Sequence, residues 1–148
     1  MERGYDVGRE AVKWVAIVTM TIDHVGATLY PQYEVLRIIG RIAFPLFNYL
    51  LVLGFESTRN VENYLIRLFL FALISQVPFY LAFGMEPFES LNIFFTLFAG
   101  LAFIYFYQKK NVLLTLFPVL VSGFLNFDYG IYGIILFRFG LEFSFEQR

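Results

Sequence analysis

Residues 64–83 read "YLIRLFLFALISQVPFYLAF", 20 residues whose one charged side chain, Arg67, stands near the start. Wound as a helix with a rise of about 1.5 Å per residue, the run covers the roughly 30 Å hydrocarbon core of a bilayer. A surface helix of a soluble domain would carry a polar face, and this run has none. Five further apolar segments lie on either side: 11–30 and 35–55 before it, and 91–107, 112–127 and 129–145 after it. The fifth contains Pro118 and Gly123, and the sixth is broken by Gly130, Gly133 and Gly140 while holding Arg138 and Glu142. Five to six spans are therefore expected. No segment alternates polar with apolar residues, which sets a barrel aside. The expected fold class is all-α, a polytopic transmembrane helical bundle forming a single membrane domain over 1–148.

Composition points the same way, since 59% hydrophobic and 21% aromatic residues exceed what a soluble domain carries. A net charge of −1 excludes the basic footprint of a nucleic-acid partner. With no cysteine and a single histidine, thiolate chemistry is excluded and a three- or four-ligand metal site is not expected. The polar start "MERGYDVGRE" and the apolar run after it do not read as a secretory signal. The run is too long, Asp23 and His24 interrupt it, and no small-x-small cleavage site follows, so it is expected to be retained as a helix.

The connections "PQYE", "ESTRNVEN", "GMEPFES", "QKKN" and "D" are short, which makes neighbouring helices antiparallel. Arg3, Arg9, Lys13, Arg59, Lys109, Lys110 and Arg148 fall on one side of such a bundle, and Glu34, Glu86, Glu89 and Asp128 on the other. Basic loops stay in the cytoplasm, so the N terminus is expected there, and the C terminus with it if all six segments span.

Against this background the pair Asp23 and His24, in "MTIDHVG" (20–26), is costly. At about 1.5 Å per residue His24 lies roughly 9 Å below Tyr30, Arg41 the same below Val35, and Gln76 roughly 10 Å from Phe83. Asn92 and Asp128 mark the starts of the fourth and sixth segments. Arg37, Arg41 and Asn48 follow helical spacing and are expected to share an inward face. Plainer readings stand beside this one. A membrane histidine also serves as a bond between helices, Arg37 and Arg67 suit interfacial anchors, and Arg138 and Glu142 suit mutual neutralisation. Asp and His within a bilayer are parts of proton relays, yet the chain shows no paired halves of a transporter. General acid/base chemistry fits better: imidazole titrates near neutrality, a carboxylate orients it, and arginines hold an anionic substrate or the charge that develops in acyl transfer.

"MTIDHVG", "LRIIGRIAFPLFNYLLVLGF", "TRNVENYLIRLFLFALISQVPF", "LNIFFTL" and "DYGIYG", in that order, resemble the conjugal-transfer TraX family over about residues 11 to 137. The resemblance implies a prokaryotic inner-membrane protein related to membrane-bound acyltransferases, whose named member N-acetylates the amino terminus of pilin using acetyl-CoA. More distantly, the chain is similar to the lysosomal enzyme that acetylates heparan sulfate glucosamine through a membrane histidine. His24 is then the expected acid/base or transient acyl carrier, with Asp23 beside it and Arg37 and Arg41 as acyl-donor or oxyanion partners. Gln76, Asn92 and Asp128 complete the expected substrate and donor region. Acetyl-CoA enters as co-substrate, no cofactor is held tightly, and the acceptor is pilin or another cell-envelope molecule. Family members run on beyond "DYGIYG" with further helices, so a chain of 148 residues is expected to be a short homologue, a truncated reading frame or one half of a homo-oligomeric site. A noncatalytic membrane assembly or scaffold module, or a small transporter, is the competing expectation.

Overall fold

In a computed structural model that describes residues 2–86, 89–125, 129, 133–139 and 142, with side chains from Val7 onward, the chain is all-α. Its helices are α1 (Glu2–Thr28), α2 (Glu34–Gly40), α3 (Ala43–Ser57), α4 (Val61–Phe83), α5 (Ile93–Gln108) and α6 (Val112–Phe124). A further helical stretch occupies 133–139, and no β-strand forms among the described residues. The sixth segment expected at 129–145 is thus helical over 133–139 and at 142, Tyr129 lies in a bend, and the rest lies outside the described residues.

Local chemistry explains where the helices end. α1 begins nine residues before the apolar run expected at 11–30, because nothing in "ERGYDVGRE" breaks a helix. It closes at Thr28, where the Leu29 and Tyr30 amides both turn back to the Val25 carbonyl at 2.9 and 3.2 Å. Tyr30 precedes Pro31, which disfavours helical geometry at residue 30. His24 consequently lies about 6 Å from its helix end, nearer than the depth expected from Tyr30.

The second segment is not one continuous helix. Proline at 45 has no amide to give the Arg41 carbonyl, and its ring crowds that carbonyl. Phe44 N–H reaches the carbonyl instead, at 3.4 Å, and residues 41–42 form a turn between α2 and α3. The face expected to carry Arg37, Arg41 and Asn48 together is split by this turn, leaving both arginines exposed and Asn48 buried. α4 starts on Asn60, whose side chain accepts from Asn63 N–H, and ends on Gly84 with φ 62°. α5 and α6 start on Asn92 and Asn111 with the same kind of side-chain cap.

Two stretches are long and apolar enough to cross a membrane: Glu34–Ser57, taking α2 and α3 as one run, and Val61–Phe83. Only 17% of the most apolar window of α4 is buried, so it is no core helix of a soluble domain. Ile66, Leu70, Ile74, Val77 and Leu81 stand exposed on it at helical spacing, as a lipid-facing stripe requires. α5 and α6 are shorter apolar helices.

The chain divides within α3 into two units, residues 1–50 and 51–148. In the first, α1 packs on α2. In the second, α5 packs on both α4 and α6, and Phe137 fills the space that Gly100 leaves beside α5. A polar clasp ties the start of α4 to the end of α5: Tyr105 donates its hydroxyl to Glu62 at 2.8 Å and accepts from the Lys109 ammonium. That hydrogen bond to the Tyr105 oxygen holds the Lys109 pKa above its ordinary value, with Glu62 adding in the same direction.

Candidate functional site

In residues 1–50 the site is built on a seam where α1 and α2 come close enough to exclude side chains. A β-carbon added at Gly40 would overlap the Asp23 backbone and stand 2.7 Å from its Oδ1. One added at Gly26 would stand 2.7 Å from the Leu36 Cβ. The two glycines, one on each helix, let the backbones approach in the manner of small-residue contacts between membrane helices. This contact turns Asp23 toward α2, where Arg37 Nε lies 4.0 Å from Oδ1. That oxygen is shut off from solvent yet accepts no hydrogen bond among the described residues. A buried carboxylate oxygen with unused acceptor capacity is costly, and such groups gather at functional sites.

His24, one residue on, is rotated about 100° around the helix and is exposed at the protein surface. Its Nδ1 lies 2.8 Å from the Met20 carbonyl oxygen. A carbonyl can only accept, so Nδ1 carries the proton and, in the neutral ring, Nε2 carries the lone pair. The group that sets the tautomer is thus a main-chain carbonyl one turn back. Arg41 sits at the turn after α2, its amide donating to the Arg37 carbonyl at 3.0 Å. Asn48, 3% exposed on α3, has neither carboxamide atom hydrogen-bonded among the described residues.

In residues 51–148, Gln76 and Asn92 come together as a clasp. Gln76 Nε2 donates to the Ser90 carbonyl at 2.8 Å, and its Oε1 accepts from Asn92 N–H at 3.0 Å. Asn92 Nδ2 donates to the Ala72 carbonyl at 2.9 Å while its Oδ1 caps α5 by accepting from Phe94 N–H at 3.0 Å. Three of these bonds pin residues 90–92 to α4, and the fourth starts α5. Asn92→Ala removes the cap and the extra bond to the Ala72 carbonyl, with an expected cost of about 2 kcal/mol. Thermal unfolding in detergent checks this, and an unchanged midpoint would deny the clasp its role. Thr96 is fully buried, and its hydroxyl has no partner among the described residues, whereas Thr19, Thr21, Thr28 and Thr115 all donate back along their helices. Arg138 and Glu142 form the expected ion pair at 3.2 Å. Asp128 lies outside the described residues.

A family model described as "TraX protein" matches residues 8–146. The chain belongs to the TraX family. It is 34% identical, over its whole length, to a probable fimbrial assembly protein FimC of Dichelobacter nodosus, covering 67% of that protein. It is 31% identical over 69% of its length to an uncharacterised protein of Rickettsia prowazekii, covering 38% of it. It is 36% identical over 59% of its length to protein TraX of Escherichia coli, covering 35% of it. The chain thus spans between about a third and two thirds of the lengths of these relatives. No solved structure matches it. Membership in the TraX family, with helices long and apolar enough to cross a bilayer, makes this a membrane protein related to those of conjugation and pili.

Asn48, Thr96 and the two seam glycines were not among the expected site residues of this TraX-family chain. Gly26 and Gly40 stand inside "MTIDHVG" and "LRIIGRIAF", where glycine within an apolar helix signals a close contact. Helical spacing after Arg37 and Arg41 did turn Asn48 inward, but that an asparagine or a threonine is left without a partner among the described residues has no such signal.

Proposed function

We propose that this chain is a multi-pass acyltransferase of the prokaryotic inner membrane, with a cytoplasmic N terminus, that carries an acetyl group from acetyl-CoA to an amine or hydroxyl acceptor. The observation that carries the reading is the 2.8 Å contact between His24 Nδ1 and the Met20 carbonyl oxygen: with the Nδ1 proton directed there, Nε2 is the basic atom. The acceptor's lone pair attacks the thioester carbonyl as Nε2 takes its proton, and Arg37 and Arg41 supply positive charge for the oxyanion. The carbon–sulfur bond then breaks, the imidazolium returns its proton to the departing thiolate, and free coenzyme A leaves beside the acetylated acceptor. Asp23, 4.0 Å from Arg37, positions that guanidinium. Family membership supports the reading, and the pilin amino terminus or another cell-envelope amine is the acceptor that fits it.

Purified protein incubated with radiolabelled acetyl-CoA and a panel of amine and hydroxyl acceptors, including a pilin N-terminal peptide, tests this. Labelled product is the expected result. A second reading, a noncatalytic assembly module, is favoured by the match over the whole chain to a relative named as a probable fimbrial assembly protein. Absence of acetyl-CoA binding at about 1 mM, the upper end of ordinary KM values, would select it.

A further inference from the structure

α5 ends in two consecutive lysines that do different things. Lys109 is engaged: it donates to the Tyr105 hydroxyl, lies 4.3 Å from the centre of that ring and comes within 4.0 Å of Glu62. Lys110 takes the left-handed conformation, φ 55°, as the chain closes the helix with Asn111 N–H bonded to the Phe106 carbonyl at 3.2 Å. Glycine is the usual occupant of that position, and Gly84 holds it at the end of α4 with φ 62°. A residue with a β-carbon is strained there, by about 1 kcal/mol. Strain that glycine would relieve points to a task for the side chain.

Lys110 borders a cavity of about 680 Å³ between α5, α6 and the 133–139 helix, a volume in the range of ligand sites. Phe103, Tyr107, Val112 and Leu116 make its wall apolar. Arg138 stands on the same border, on the stretch that Phe137 anchors against Gly100, but its charge is shared with Glu142 at 3.2 Å. Lys110 is in no ion pair among the described residues. The Glu142 carboxylate is on the border too, paired with Arg138, so Lys110 is the cation left over. An apolar cavity with one such lysine at its edge, at helix ends carrying the Tyr and Lys that mark headgroup depth, complements an amphiphile with an anionic head.

We propose that this cavity binds an anionic phospholipid, its acyl chain against Phe103 and Leu116 and its phosphate on Lys110. Free phosphate and a fatty acid each share part of that chemistry. The full chain in a neutral maltoside detergent is therefore titrated calorimetrically with dioctanoyl phosphatidylglycerol, dioctanoyl phosphatidylcholine, inorganic phosphate and octanoate. Phosphatidylglycerol is expected to bind about tenfold more tightly than any of the others, the scale of one charge-assisted contact. Lys110→Gly is expected to weaken it about tenfold while raising the melting temperature, because the strain is gone. Lys110→Arg should keep the affinity, Leu116→Trp should weaken both lipids by filling the cavity, and Lys13→Ala, which removes a cation elsewhere, should change neither. Equal binding of the two lipids, phosphate binding as tightly as phosphatidylglycerol, or wild-type affinity in Lys110→Gly each overturns the proposal.

Discussion

His24→Ala is expected to lower acetyl transfer by about 10²- to 10⁴-fold, the contribution of a positioned general acid/base. Its melting temperature should stay close to that of the wild type. The ring is exposed, so truncation opens no cavity, and the bond from Nδ1 to the Met20 carbonyl at 2.8 Å lies within one helix turn. Loss of one such exposed bond costs about 1 kcal/mol or less. His24→Gln sharpens the comparison, since an amide can donate to that carbonyl but cannot take up a proton, and it should be as inactive as the alanine variant. Turnover of labelled acetyl-CoA measured beside a melting curve separates the outcomes. Transfer by His24→Ala at the wild-type rate would remove the histidine from the chemistry, and a collapse of the melting curve with intact binding of acetyl-CoA would make its role structural.

Gly40→Ala should damage the fold more than any exposed change. The added β-carbon would overlap the backbone of Asp23, which no rotamer change can relieve, so α2 must move off α1. Overpacking of this kind costs about 3 kcal/mol or more when backbone has to shift. The same movement separates Arg37 from Asp23, now 4.0 Å apart, so transfer should fall together with stability. Gly8→Ala is the matched control in α1: nothing lies within 4 Å of its added β-carbon, and the gain in helix propensity is about 0.5–1 kcal/mol. Thermal unfolding of the two variants in one detergent decides the matter. Equal melting temperatures would mean that the seam yields at no cost.

Much of this architecture was legible in the residues. The end of α4 at Gly84 follows from a glycine after a long apolar run, and the starts of α4, α5 and α6 from asparagines at 60, 92 and 111. The break after α2 was also readable, because Pro45 must orphan the carbonyl four residues before it, but hydropathy averaged across 35–55 hides a two-residue turn. Depth along a helix singled out Gln76, and the start of the fourth segment Asn92, without saying that the two would bond to one another. Depth counts residues, whereas bonding depends on how each helix is rotated and how residues 90–92 lie against α4.

The sequence by itself determined the all-α class and the family, for a reason that acts residue by residue. In lipid each backbone amide must be satisfied within its own segment, so a 20-residue apolar run such as 64–83 has the helix as its solution. Tertiary structure alone decided which polar groups face one another. Asp23 meets Gly40 and Arg37 because two glycines let α1 and α2 approach to within a side chain's thickness, and Lys110 rather than Lys109 borders a cavity because α5 closes through a left-handed residue. Those outcomes turn on displacements of about 1 Å and single rotations of φ, to which composition and periodicity are blind.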